Sequence, residues 1–363
     1  MSILRLPIDR LPELWPSKLR AAKIGAVLHP ASISATLVHS SRILERLSGD
    51  IFYLAALFGP QHGYLGQTQD NMIEWEGFKH PRLGIPVHSL YGTNREPTSE
   101  MLNGLDALVI DLQDIGTRYY TFIWTMYLCM KACVREGIPV VVFDRPNPIN
   151  GVTIEGSLPD PSYRSFVGLH PIPVRHGRTM GELASLFRDE AFPQCELVVL
   201  PMEGWERDMW FDETGLPWVL PSPNMPTLDT ATVYAGMCLL EATNISEGRG
   251  TSRPFELFGA PWIYGEDFAP ALNALGLPGV HFREAYFQPT FHKYAGEICA
   301  GAQLHVTDRD RFLPFQTGVE IIKHSQARYG PKFQWKLPPY EYEYKRLPIE
   351  VLIGGPVHSL FFE

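Results

Sequence analysis

Basic runs, metal-ligand spacings, long apolar segments and paired cysteines are all missing from this chain, and each absence removes a class of function. Of 363 residues, 31 are Lys or Arg against 40 Asp or Glu, giving a formal net charge of −9 and a pI near 5.8. Nucleic acids and anionic membranes select basic faces, so neither is expected as a partner. No stretch approaches the roughly 18 continuous apolar residues that a membrane span needs. Met1 to Arg10 carries Pro7 and Asp9 where a signal peptide requires an uninterrupted apolar core, and the expected compartment is the cytoplasm. The five cysteines, Cys129, Cys133, Cys195, Cys238 and Cys299, are odd in number and scattered, as expected of buried thiols in a reducing compartment. No HExxH occurs, and the His170 to His176 spacing fits no zinc pattern, so no metal is expected. Gly59, Gly63 and Gly66 have the wrong spacing for GxGxxG, and no GxxxxGK[ST] loop exists, so no nucleotide cofactor is expected either.

What is present is an ordinary globular composition, 45% hydrophobic and 20% charged, in a chain longer than one hydrophobic core usually supports. Two domains are expected. Lys23–Leu28, Tyr53–Phe58, Ala107–Asp111 and Pro139–Phe143 read as buried strands, and Ile85–Tyr91 as a further extended piece. Between them, Ser32–Leu47 and Thr121–Arg135 have helical spacing, and a short helix starts at Thr98. Apolar strands alternating with helices predict a doubly wound α/β domain with parallel pairing, residues 1–155. Gly and Pro become frequent from Gly151 to Pro173, and a second, smaller α/β domain is expected over 156–363. There, Thr179 and Glu182 form a capping box opening a helix. Leu197–Leu200, His281–Phe291 and Gly301–Thr307 read as strands, and Asp229–Glu241 and Asp308–Tyr329 as helices.

Ligands bind doubly wound sheets outside the carboxyl ends of the strands. Those ends are polar here: His29, the Gly59–Gly66 loop, Asp111 to Asp114 followed by Arg118 and Tyr119, and Asp144 to Asn147. His62 suits acid/base work or a sugar hydroxyl because imidazole titrates near neutrality, although a packing role is equally open. Asp70, Glu74, Glu76, Asp111, Asp114 and Asp144 supply carboxyl groups of the kind that glycoside hydrolysis uses in pairs, and Asp111 and Asp144 are equally suited to capping turns. Arg118, Arg145, Arg175, Arg249 and Arg253 stand beside Gly, Pro or His, where a guanidinium fork reads a carboxylate or closes a structural ion pair. Trp75, Tyr91, Tyr119 and Trp205 are candidate stacking rings or core residues.

Taken together, Gly59-Pro-Gln-His-Gly63, Asp111-Leu-Gln-Asp-Ile-Gly116 with Arg118-Tyr-Tyr-Thr121, Asp144-Arg-Pro-Asn-Pro148, Val174-Arg-His-Gly177, Pro221-Ser-Pro-Asn-Met-Pro226 and Thr243-Asn-Ile-Ser-Glu-Gly-Arg-Gly-Thr251 with Pro254-Phe-Glu256 resemble the NamZ-type exo-β-N-acetylmuramidases, a glycoside hydrolase family. The resemblance implies a Rossmann-like N-terminal domain, a smaller C-terminal domain completing a cleft, and removal of terminal N-acetylmuramic acid from peptidoglycan-derived fragments. The implied partner is a small-molecule or oligosaccharide amino-sugar substrate, and the oligomeric state stays open. The family pattern reads Pro-Glu-His-Gly, so Gln61 replaces a glutamate. The expected catalytic group is therefore Gln61, His62, Asp114 and, as replacement carboxylate, Glu74. The expected substrate-binding group is Arg118, Tyr119, Asp144, Arg145, Asn147, Arg175, His176, Asn224, Glu247 and Arg249. A non-hydrolytic sugar-binding or sensor protein, or a glycosidase with another substrate, is the alternative.

Overall fold

Short apolar strands pair in parallel to build the first unit of the computed structural model, which describes residues 4–361. The first residues of the segment read for a signal peptide, 1–3, lie outside the described residues. The strands are β1 (Lys23–Leu28), β2 (Tyr53–Gly59), β3 (Phe78–Lys79), β4 (Pro86–Ser89), β5 (Ala107–Asp111), β6 (Val140–Phe143) and β7 (Leu197–Leu200). They form one sheet in the order β3-β4-β2-β1-β5-β6-β7, parallel except for the edge pair β3–β4. All of β5 and β6, and all of β1 but Lys23, is buried, which is why these strands read as unbroken apolar runs. Helices α1 (Leu11–Leu14), α2 (Ser40–Leu47), α3 (Ser99–Leu102), α4 (Phe122–Glu136) and α5 (Met180–Ala191) belong to the same unit. The strand order reverses between β1 and β5, so the carboxyl ends of those two strands flank the topological switch point.

The second unit holds an antiparallel sheet of β8 (Leu257–Ala260), β9 (Val280–Phe287) and β10 (Cys299–Val306) in the order β8-β10-β9. With it go α6 (Leu228–Met237), α7 (Gly265–Asn273), α8 (Pro314–Tyr329), α9 (Pro348–Ile353) and α10 (His358–Phe361). The first unit comprises 1–116, 120–152 and 177–223, and the second 117–119, 153–176 and 224–363. Residues 177–223, C-terminal to the expected boundary, return to the first unit and supply α5 and β7.

The expected doubly wound α/β architecture with a smaller α/β partner is the one observed. One helix is much shorter than its periodicity predicts. Only Ser40–Leu47 of the Ser32–Leu47 segment is helical, because serines tie the preceding backbone into turns: Ser32 Oγ accepts from His29 N at 2.9 Å, and Ser34 Oγ from Val38 N at 3.0 Å. The last long helix starts at Pro314 rather than Asp308, with the proline in its first turn. Strand β8 and helix α7 had no expectation, the first being short and interrupted by Gly259, the second containing Pro270.

Helices α6 and α8 meet at two glycines. A Cβ on Gly236 would stand 1.7 Å from Pro314 O, and one on Gly318 2.3 Å from Gly236 O. Gly236→Ala forces the helices apart and is expected to cost about 3 kcal/mol, read as a lower denaturant midpoint with unchanged slope.

Candidate active site

The switch point is filled by the protein's own charges. Asp111, ending β5, is fully buried and pairs with Arg145, just beyond β6; Arg145 Nε donates to Asp111 Oδ1 and Nη2 to Oδ2 at 3.1 Å. Ser40 Oγ donates to Asp111 Oδ2 at 2.5 Å, and Arg145 Nη2 also reaches Ile33 O at 2.8 Å. His29, after β1, is also wholly buried: Gln113 N donates to its Nε2 at 2.9 Å, so Nδ1 carries the proton given to Pro221 O at 3.1 Å. Burial drives the His29 pKa down to about 3, and the ring stays neutral. These groups fasten the 29–40 segment to the sheet rim. Arg145, expected at the substrate, is committed to Asp111 instead.

The β2 end carries Gln61 and His62, both buried. Thr121 Oγ1, at the start of α4, donates to Gln61 Oε1 at 2.6 Å, and Gln61 Nε2 donates to Tyr91 OH at 3.0 Å. The loop after β2 is thus joined to the loop between β5 and α4. His62 adopts φ +67°, and its Nδ1 pairs with Thr68 O at 2.8 Å. Behind the loop, Trp75 Nε1 donates to Pro60 O at 3.0 Å. Asp114, buried in the β5–α4 loop, accepts from Gly116 N at 2.6 Å. Asn147 Oδ1 accepts from Ile149 N at 3.1 Å and its Nδ2 donates to Arg178 O at 3.1 Å, a turn-forming pattern packed where a Gly116 Cβ would be. Asp144 accepts from Gly181 N at 2.7 Å, at the start of α5, and from Arg145 N at 3.0 Å.

Other expected residues are placed differently. Glu74 is exposed in the loop between β2 and β3, with no hydrogen bond to Gln61 among the described residues. In the second unit, Arg118 is buried with its guanidinium on main-chain carbonyls: Ser157 O, Ile172 O at 3.0 Å and Leu352 O at 2.7 Å. Burial lowers its pKa to about 10. Tyr119 OH donates to Ala235 O. Arg175 is buried, its main chain paired with Glu155, and burial lowers its pKa to about 10 as well. His176 and Asn224 are buried.

Arg249 and Glu247 sit inside a closed charge cluster rather than on an open binding loop. Arg249 Nη2 donates to Glu241 Oε1 at 2.7 Å and its Nε lies 3.4 Å from Glu247 Oε1. Lys293 Nζ donates to Glu247 Oε2 at 2.8 Å and to the carbonyls of Leu240 and Ile245, and Tyr340 OH donates to Glu241 Oε2 at 2.8 Å. Burial opposes the Glu247 charge; Lys293, His292 and Arg249 outweigh it and hold the carboxyl well below its usual range. The sequence reading missed Thr121 as the partner that fixes Gln61. Its position immediately before α4 was the available signal. Tyr91 was expected as a stacking ring or a core residue, and its hydroxyl role was not read.

Two family models match the chain, described as Exo-beta-N-acetylmuramidase NamZ, N-terminal, over residues 24–229, and Exo-beta-N-acetylmuramidase NamZ, C-terminal, over residues 232–358. The chain is similar to the Peptidoglycan beta-N-acetylmuramidase NamZ of Bacillus subtilis (strain 168), with 48% identity over 328 residues, 90% of this chain and 78% of that protein. Crystal structures of two DUF1343 family proteins from Bacteroides fragilis NCTC 9343 are also similar. One has a TM-score of 0.87 at 32% identity, covering 98% of this chain and 90% of the other. The second has a TM-score of 0.74 at 25% identity, covering 99% and 90%.

Two outcomes follow from the rim. Arg145→Met strands the buried Asp111 carboxylate and is expected to cost about 3–5 kcal/mol, with most of the loss recovered by adding Asp111→Asn; chemical denaturation of single and double variants measures both. Burial, opposed by hydrogen bonds from Gly181, Thr179 and Arg145, raises the Asp144 pKa from 3.8 to about 6. A carboxyl raised on folding stabilises most below its unfolded pKa and loses that contribution as pH climbs through the folded one. Between pH 4 and 6, Asp144 therefore removes stability on the order of 2–3 kcal/mol, and Asp144→Asn is expected to flatten that slope in melts across this range.

Proposed function

Because the chain belongs to the NamZ exo-β-N-acetylmuramidase family, we propose that it is an exo-acting glycosidase that removes terminal N-acetylmuramic acid from peptidoglycan-derived fragments. The observation that carries the reading is the match of both family models, in order, along nearly the whole chain, with the β2-end loop built around Gln61 at the rim of the first sheet. All five cysteines are buried thiols without a disulfide, which supports a reducing compartment and action on fragments inside the cell.

An amide at position 61 transfers no proton at neutral pH. In this reading Gln61 orients the acetamido group of the bound sugar, whose carbonyl oxygen attacks C1 as the bond from C1 to the leaving oxygen breaks. Asp114 gives its proton to that leaving oxygen; water then opens the resulting oxazolinium ion at C1, and the proton that water loses returns to the Asp114 carboxylate. His62 contacts the sugar hydroxyls. Charge on the acetamido nitrogen grows in the transition state, so an anionic acceptor at position 61 stabilises it more than an amide does.

Hydrolysis of a chromogenic β-N-acetylmuraminide tests the activity, with release of the aryl group the expected result. Gln61 itself favours one rival, a protein that binds the sugar without cleaving it; no turnover with binding retained in calorimetry would establish that rival. Gln61→Glu places a carboxylate between two hydroxyls, Thr121 and Tyr91, each able to donate to it. Turnover is expected to rise about tenfold or more, the value of one charge-assisted hydrogen bond. An unchanged rate would put the chemistry on other residues.

A further inference from the structure

A cavity in the first unit lies away from the switch point, at the sheet edge. It is an open depression of about 590 Å³ lined by residues 75–79, β4, residues 93–94 and Met101 of α3. That volume is in the range of small-ligand sites. Its lining residues include the apolar Trp75, Phe78 and Met101 and the polar Asn94, Lys79 and Glu76. Among the described residues Asn94, Lys79 and Glu76 have no side-chain hydrogen bond or ion pair, so three polar residues of the lining have donors and acceptors to offer a ligand.

Trp75 is a shared wall between this cavity and the Gln61 loop. Its indole N–H holds Pro60 O at 3.0 Å, its ring occupies the space beside Gly59 where a Cβ would stand 2.8 Å from Cζ2, and its main-chain N–H donates to Tyr91 O at 3.3 Å. Tyr91 in turn takes the Gln61 amide. Gly77, on the cavity wall, lets the chain pass close to β4, since a Cβ there would stand 2.7 Å from Val87 O.

We propose that this cavity is a second sugar site, built for an N-acetylhexosamine unit of a glycan and coupled through Trp75 to Gln61. A pyranose offers a C–H face for an aromatic ring, hydroxyls that donate and accept at once, and an acetamido group with an apolar methyl. Phe78 meets the C–H face, Met101 the methyl and Asn94 the acetamide. Glu76 and Lys79 supply an acceptor and a donor for hydroxyls. The choice of sugar rests on the proposed function; the existence of the site does not, and the test separates the two.

With tryptophan indoles labelled with ¹⁵N and the Trp75 signal assigned by Trp75→Phe, di-N-acetylchitobiose is titrated into the full chain. A saturable shift of the Trp75 N–H with a roughly millimolar Kd is expected. Asn94→Ala is expected to weaken it about fivefold to tenfold through the lost hydrogen bond, and Met101→Trp, which fills the cavity, to abolish it. Thermal melts confirm that both variants fold. No shift of the Trp75 signal, or equal affinity in both variants, overturns the site. If the sugar binds this way while the muraminide is left intact, the cavity stands and the catalytic reading falls.

Discussion

The first unit depends on one buried ion pair. Asp111 ends β5 and Arg145 follows the neighbouring β6, and each would cost several kcal/mol to desolvate alone. Together with Ser40 Oγ and Ile33 O they satisfy one another, and the 29–40 segment is drawn down over the rim as a consequence. In other doubly wound sheets the crevice between these strands receives a cofactor phosphate or nucleotide. Here a guanidinium and a carboxylate occupy it, and the neutral His29 bridges Gln113 to Pro221 beside them. Beside it, the loops after β2 and β5 are joined at the rim where Thr121 donates to Gln61.

Arginine is used the same way throughout. Arg118 gathers three carbonyls from distant parts of the second unit, Arg145 closes the switch point, and Arg249 is enclosed by two glutamates. A guanidinium has five donors in a rigid fork, which suits it to stitching loops that lack secondary structure of their own. Glycine and proline around these arginines mark irregular backbone that needs such stitching, and that irregularity looks like a binding loop when only the sequence is in view. Burial decides between the two uses, and burial is a property of the folded chain.

Strand positions and fold class were legible because buried parallel strands must be apolar on both faces: Lys23–Leu28 and Ala107–Asp111 have the bounds the sequence predicts. Helix starts were legible where a cap marks them, as at Thr179, whose side chain and that of Glu182 satisfy each other's backbone N–H groups. Ser32 to His39 was not, since a period of apolar residues says nothing of the serine side chains that capture the backbone first. Gln61, His62 and Asp114 were candidates because they follow strand ends, and all three are buried at the rim. Glu74 was chosen for its chemistry alone, and its exposure could not be read from a loop without periodicity.

Gln61 differs from a glutamate by one terminal group, and its surroundings discriminate little between the two. Thr121 donates to Oε1, while the Tyr91 hydroxyl accepts from Nε2 and can reverse to donate if an oxygen stands there. A carboxyl group in this buried position would be pushed toward its neutral form by desolvation and back toward the anion by two hydroxyl donors. The fold therefore holds side chains of this shape in one place whichever group ends them. What the amide changes is the charge held at this point of the rim, which a carboxylate makes negative and an amide leaves neutral.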